Sequence, residues 1–207
     1  MSDERVAVVL AAGAGSRYQA GTHKLLASFR GRPVVGWAVE HAQAAALDRT
    51  WVVTGAVDLA AAGVIPPGVE VLVNDRWSEG QATSLQVAVA AARQAGVASL
   101  VVGLGDQPLL PPEAWRAVAR SEGRPIAVAS YRGQRRNPVR IDRACWDLLP
   151  AEGDEGARVL MRRRPDLVME VELEGSGDPV DIDTVADLQR AEQSASGDAA
   201  GDAGRQS

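Results

Sequence analysis

Cysteine is nearly absent from this chain of 207 residues. Cys145 stands alone, so no disulfide can form within the chain, and no Cys/His grouping has zinc spacing. Histidine is almost as scarce, with His23 and His41 isolated from each other. No apolar run is long enough to span a bilayer, and the N-terminus enters a strand-like run without a signal-type segment. The chain is therefore expected to be cytoplasmic, with no membrane partner. An excess of positive charge is missing too: the net charge of −5 gives no electrostatic case for binding nucleic acid. No internal repeat is present. Apolar residues, by contrast, make up 46% of the chain, enough for the core of one large domain. Residues 1–192 are expected to form that single domain. Residues 193–207, QSASGDAAGDAGRQS, lack periodicity and large apolar side chains, which predicts a disordered tail.

Strand-like and helical patterns alternate along the chain. Strands are expected at 6–10, 50–54, 69–73, 100–104 and 126–130, with an edge strand over 166–173. Helices are expected at 33–46 with Pro33 at its first position, from Val57, at 81–94, at 112–120 and at 184–192. Residues 132–164 are less regular and locally basic. The alternation implies a Rossmann-like α/β fold, a mainly parallel sheet in a three-layer α/β/α arrangement. Ligands of such sheets sit at the carboxyl ends of the strands.

Residues 6–24 read VAVVLAAGAGSRYQAGTHK. A buried strand runs into Leu10, Ala11, Ala12, Gly13, Ala14, Gly15 and Ser16, where nothing bulky keeps a ligand from the backbone. Arg17 and Lys24 add two positive charges beside a potential nest of N–H groups. Two familiar phosphate loops are missing: position 18 is tyrosine where a dinucleotide fingerprint needs glycine, and no Gly-Lys-Ser/Thr triplet follows. The pattern favours a nucleoside triphosphate over the loop. A plain strand-to-helix turn is the alternative.

Further along, Asp106 in GDQP follows the most apolar strand, where a carboxylate is costly unless paired or bound to a cation. Magnesium held by one or two carboxylates and substrate phosphates suits that position; capping the next helix is the other reading. Asp181 and Asp183 in DIDT fall on one face of an extended segment and could complete a metal site, or Asp183 or Thr184 could begin a helix. Gly80 leaves room for close backbone approach to a base, and Ser84 could donate to a phosphate or base.

LAAGAGSR followed by a lysine resembles the nucleotidyltransferases related to MobA and MocA, which attach a nucleotide to the molybdenum cofactor. The resemblance runs from Val6 to Leu188 and implies a fold of the nucleotide-diphospho-sugar transferase type. GDQP, with Gly105 and Asp106, looks like the cytidylyltransferase form, and DIDTVADL like the segment that supplies a metal ligand, Asp183 in preference to Asp181. NDRWSEGQATSL, with Asn74, Gly80 and Ser84, is similar to the stretch lining the nucleotide site. The GDEGAR string with Asp154 and Arg158, and the turn at Arg136, Asn137 and Pro138, resemble the MocA branch and imply an acceptor site.

The activity implied is magnesium-dependent transfer of CMP from CTP to the terminal phosphate of molybdopterin, with Arg17, Lys24 and Asp106 catalytic and pyrophosphate released. Two anions must meet, and each unit-charge pair at ~4 Å repels by about 4 kcal/mol at an effective dielectric of ~20. Charge neutralisation and in-line positioning then do most of the catalysis, without a nucleophilic side chain. Alternatives are guanylyl transfer of the MobA type, transfer to phospholactate or a sugar phosphate, or a non-catalytic nucleotide-binding chaperone of a molybdoenzyme. Transient contact with a molybdoenzyme is expected in either case.

Overall fold

Strand β1 (Arg5–Ala11) sends Val6, Val8 and Leu10 to one side of a sheet and Ala7, Val9 and Ala11 to the other. None of the six is more than 7% exposed, as a strand covered on both faces requires. The computed structural model describes residues 3–18, 20–173 and 179–202, with side chains as far as residue 193.

After β1 come a small hairpin, β2 (Ser28–Phe29) and β3 (Arg32–Pro33), then α1 (Val34–Ala44), β4 (Arg49–Thr54) and β5 (Glu70–Val73). The chain continues through α2 (Gln81–Ala95), β6 (Ser99–Leu104), α3 (Pro112–Arg120), β7 (Ile126–Tyr131) and β8 (Gln134–Asp142). It closes with α4 (Ala157–Arg163), β9 (Val168–Glu172) and α5 (Val185–Asp202). Seven strands make one sheet in the order β5-β4-β1-β6-β8-β7-β9. All neighbours run parallel except β8, which is antiparallel to both β6 and β7. The sheet is mainly parallel, as the alternating pattern predicts.

Helices cover both faces. Leu85, Ala88, Val89 and Ala92 of α2, with Leu160 and Met161 of α4, pack on the Val8 side. Val35, Val39 and Ala42 of α1, with Trp115 and Val118 of α3, pack on the Val9 side. A smaller cluster seats Ile182, Leu188 and Ala191 against Phe29 and Val34, which fastens the last segment to the hairpin. Among the described residues no helix is long and apolar enough to cross a membrane.

Five local expectations need correction. No helix begins at Val57; Asp58 captures the Ala61 N–H at 2.9 Å and Gly63 takes a positive φ, leaving a run of turns around the buried Leu59. Pro33 precedes α1 as its N-cap instead of occupying the first helical position. Strand β8 crosses the stretch expected to be irregular, because Val139 and Ile141 face the core between charged neighbours. Asn137 and Pro138 lie in a bulge of this strand, not in a turn, since the register with β7 shifts between Val128 and Ala129. The backbone of α5 runs on to Asp202, where the sequence ends the helix at Glu192. Its alanines and lack of proline are compatible with helix. Residues 203–207 of the expected tail lie outside those described.

Candidate functional site

The carboxyl ends of β1 and β6 open into a cleft of about 550 Å³. Gly105 makes their convergence there feasible: a Cβ on it would stand 2.8 Å from Ala11 Cβ. Its N–H instead reaches the Leu10 carbonyl at 2.9 Å. Residues 10–17 form one wall of the cleft, and Lys24, Gly80, Ser84, Asp106, Asp154, Arg158, Asp181 and Asp183 line the rest. Most of the residues singled out along the sequence therefore meet in one place.

Lys24 is the hub. Its Nζ donates to Asp106 Oδ2 at 2.5 Å and to Asp183 Oδ1 at 3.0 Å, joining groups from opposite ends of the chain. Arg17 reaches the other oxygen of Asp183, Oδ2, at 3.1 Å. Burial works against the charge on Lys24, but the two carboxylates outweigh it and hold the ammonium above the ordinary lysine value.

The aspartates arrive by distinct local devices. Ile182 is fully buried and its N–H donates to the Asp106 carbonyl at 2.9 Å, so the extended 181–183 segment docks beside the end of β6. Alternation then brings Asp181 and Asp183 to the cleft together. Thr184 and Asp187 form a reciprocal cap at the start of α5: Asp187 Oδ2 accepts from the Thr184 N–H at 2.7 Å, and Thr184 Oγ1 accepts from the Asp187 N–H at 3.2 Å. Capping and facing the cleft are thus divided between neighbours, and Asp183 is left to pair with Lys24. Burial, followed by the charge of Asp106, raises the pKa of Asp181.

Four carboxylates (Asp106, Asp154, Asp181, Asp183) face three cations (Arg17, Lys24, Arg158) across the lining. A polyphosphate entering that balance meets net repulsion unless a further cation comes with it. The donor set suits a hard divalent cation. Asp106 Oδ1 is buried and without a hydrogen-bond partner, and Asp183 supplies a second hard carboxylate close by. Among the described residues no group of three or more His, Cys, Asp or Glu side chains is placed to hold a metal unaided.

Other residues work from behind the wall. Asn74 is buried, and its amide donates to Thr83 Oγ1 and Ser84 Oγ, both at 2.9 Å, which orients Ser84 toward the cleft from outside it. Gly80 has a φ of 106°, and a Cβ there would come within 2.5 Å of the Gly153 carbonyl carbon. Its smallness lets the loop carrying Asp154 lie against the start of α2, where the Ala82 N–H bonds the Gly153 carbonyl at 2.9 Å.

Arg136, Asn137 and Arg158 line a second cavity of about 220 Å³, beside the first and sharing Leu10, Gln81, Leu104 and Arg158 with it. Its floor is apolar (Leu85, Val102, Val128, Val139, Met161), and four arginines stand around it. Pro138 lies in the same bulge but is not part of either wall.

Sequence patterns alone do not single out His23, Gln107 or Trp77. His23 braces the loop, with Nε2 3.1 Å from the Gly13 carbonyl and Nδ1 accepting the Leu25 N–H at 3.2 Å. These partners require a neutral ring protonated on Nε2. Gln107, 2% exposed, joins Asp181 to Asn137. Trp77 lines the cleft.

Comparison with known proteins identifies the family and the fold. The MobA-like NTP transferase domain family matches residues 7–168. Nicotine blue oxidoreductase of Paenarthrobacter nicotinovorans is 32% identical over 196 residues, covering 88% of this chain and 94% of that protein. Rv0371c of Mycobacterium tuberculosis H37Rv superposes with a TM-score of 0.78 at 28% identity, over 93% of this chain and all of that one, and a second structure of it is a complex with manganese. A nucleotidyl transferase from Methanothermobacter thermautotroptrophicus gives a TM-score of 0.77 at 25% identity, over 93% and 98% of the two chains.

Proposed function

From the premise that this chain belongs to the MobA-like NTP transferase domain family and is a nucleotidyltransferase, we propose that it moves CMP from CTP to the terminal phosphate of molybdopterin. Pyrophosphate leaves, and the new bond joins the acceptor phosphate to the α-phosphorus. The observation that carries this reading is the clustering of Asp106 and Asp183 around Lys24 beside the small-residue loop. The preference for CTP rests on the resemblance of LAAG and GDQP to the cytidylyltransferase branch.

The residues of the cleft have separate tasks. The backbone of Gly13–Ser16 cradles the triphosphate, and Arg17 and Lys24 neutralise its oxygens. Asp106 and Asp183 would hold magnesium, with Asp181 beside them, and the ion would supply charge neutralisation for the phosphates. Arg136, Asn137, Arg158 and Asp154 position the acceptor, whose body lies over the second cavity while its phosphate enters the first. No side chain need act as general base, because a phosphate monoester is largely deprotonated at neutral pH. A molybdoenzyme that takes up the product is the implied partner.

The oxidoreductase name of the 32% identical relative favours a second reading, a redox reaction on the same scaffold. One experiment separates them. Pyrophosphate release with CTP, magnesium and molybdopterin supports transfer; its absence, with reductive turnover of nicotine blue, supports the second.

A further inference from the structure

Gln107 is buried at the turn after β6, yet it is polar and lies between the two cavities. Its Nε2 donates to Asp181 Oδ1 at 2.6 Å, and its Oε1 accepts from Asn137 Nδ2 at 2.9 Å. The amide is directional: reversing it would turn the NH2 toward another NH2 and the oxygen toward a carboxylate. Asn137 belongs to the wall of the second cavity and Asp181 to the wall of the cleft. The Ile182 N–H bonds the Asp106 carbonyl beside this turn, so Asp106, Gln107 and the 181–183 segment share one anchor.

We infer that Gln107 is a positioning residue: it fixes Asp181 toward the cation at the cleft and couples that carboxylate to Asn137 in the wall of the second cavity. One oxygen of Asp181 is engaged by the amide, which leaves the other for the cleft. A residue at Asn137 that moves when the second cavity fills pulls on Asp181 through a single side chain. A merely space-filling residue would have no need of a donor and an acceptor at opposite ends. This inference rests on the cation reading of the cleft and is independent of which nucleotide or acceptor is used.

The test is Mn²⁺ binding, read by the loss of the free-ion electron paramagnetic resonance signal, with and without CTP. Gln107→Met keeps the length of the side chain and removes both hydrogen bonds; it is expected to weaken Mn²⁺ binding by about tenfold or more, as loss of a partner behind a metal ligand does. Asn137→Ala, which cuts only the outer link, is expected to give a smaller loss. In the double variant Asn137→Ala is expected to add nothing, because the link it breaks is already gone. Thermal melts run in parallel expose any general loss of folding. Unchanged Mn²⁺ affinity in Gln107→Met, or full additivity in the double variant, would overturn the inference and reduce Gln107 to packing. Failure of the parent protein to bind Mn²⁺ under either condition would overturn the cation reading together with the inference. Absence of CMP transfer in a protein that passes the Mn²⁺ test would count against the proposed substrates alone.

Discussion

Lys24 Nζ lies 2.5 Å from Asp106 Oδ2, and this contact closes a separation of 82 residues between the small-residue loop and the end of β6. Both side chains are less than one-fifth exposed. The pair holds the loop against the strand end. Removing Lys24 leaves Asp106 shielded from water without its cation, whereas neutralising Asp106 leaves Lys24 paired with Asp183 at 3.0 Å.

Asp106→Asn is therefore expected to keep the fold and lose metal-dependent turnover. The amide still accepts from Lys24 but brings no charge to a site built around cations. Turnover measured across a magnesium titration checks this. Near-normal rates in the Asn variant would remove Asp106 from the site.

Lys24→Ala is expected to weaken CTP binding and slow transfer, since Asp106 and Asp183 would then face each other and the triphosphate without the shared ammonium. Lys24→Arg should restore only part of this, because a planar fork cannot sit between two carboxylates as a compact ammonium does. Calorimetric titration of CTP against both variants reads the effect.

Much of this site was legible in the chain because its parts are local patterns. The unbroken apolar run of β1 announces a strand buried on both sides, and the run from Ala11 to Ser16 announces room for a ligand. Asp106 was conspicuous as an acid at the end of an apolar strand, and Asp181 and Asp183 as a pair with period two. The rest depends on partners distant in sequence. Nothing near Gln107 or His23 foretells Asn137, Asp181 or the Gly13 carbonyl, so their roles emerge only when the chain folds. Strand β8 was hidden because its arginines obscure the alternation; Arg140 is buried, donates to the carbonyls of Ser121 and Arg124 and forms an ion pair with Asp142. Gly80 reads as a place for a ligand, and its tightest neighbour is the backbone of Gly153.

His23 gives a pH prediction. Burial lowers its pKa below the ordinary value of 6.5, against the pull of the Gly13 and Ala14 carbonyls. The unfolded chain thus takes up the proton first as pH falls. The stability contributed by the neutral ring is full above pH 6.5 and is lost as pH drops through the folded value. Between pH 7 and pH 5 the parent protein is expected to lose more melting temperature than His23→Gln, which cannot be protonated. Identical slopes would remove His23 from the bracing of the loop.

Gly80→Ala is expected to destabilise the protein by roughly 2 kcal/mol, through strain at its positive φ and displacement of the Gly153 loop. For a chain of this size that is about 4–8 °C in melting temperature. Differential scanning calorimetry decides it, and a drop of less than a degree would mean that the loop yields freely.

Passage of CMP from CTP to a phosphorylated pterin is the reaction proposed for this cleft. Pyrophosphate release measured with CTP and with GTP at equal concentration, each with molybdopterin cofactor and magnesium, tests it most directly. Acceptor-dependent release is expected with CTP, well above that with GTP, and none in Asp106→Asn. No acceptor-dependent release with CTP, or equal or greater release with GTP, would contradict it.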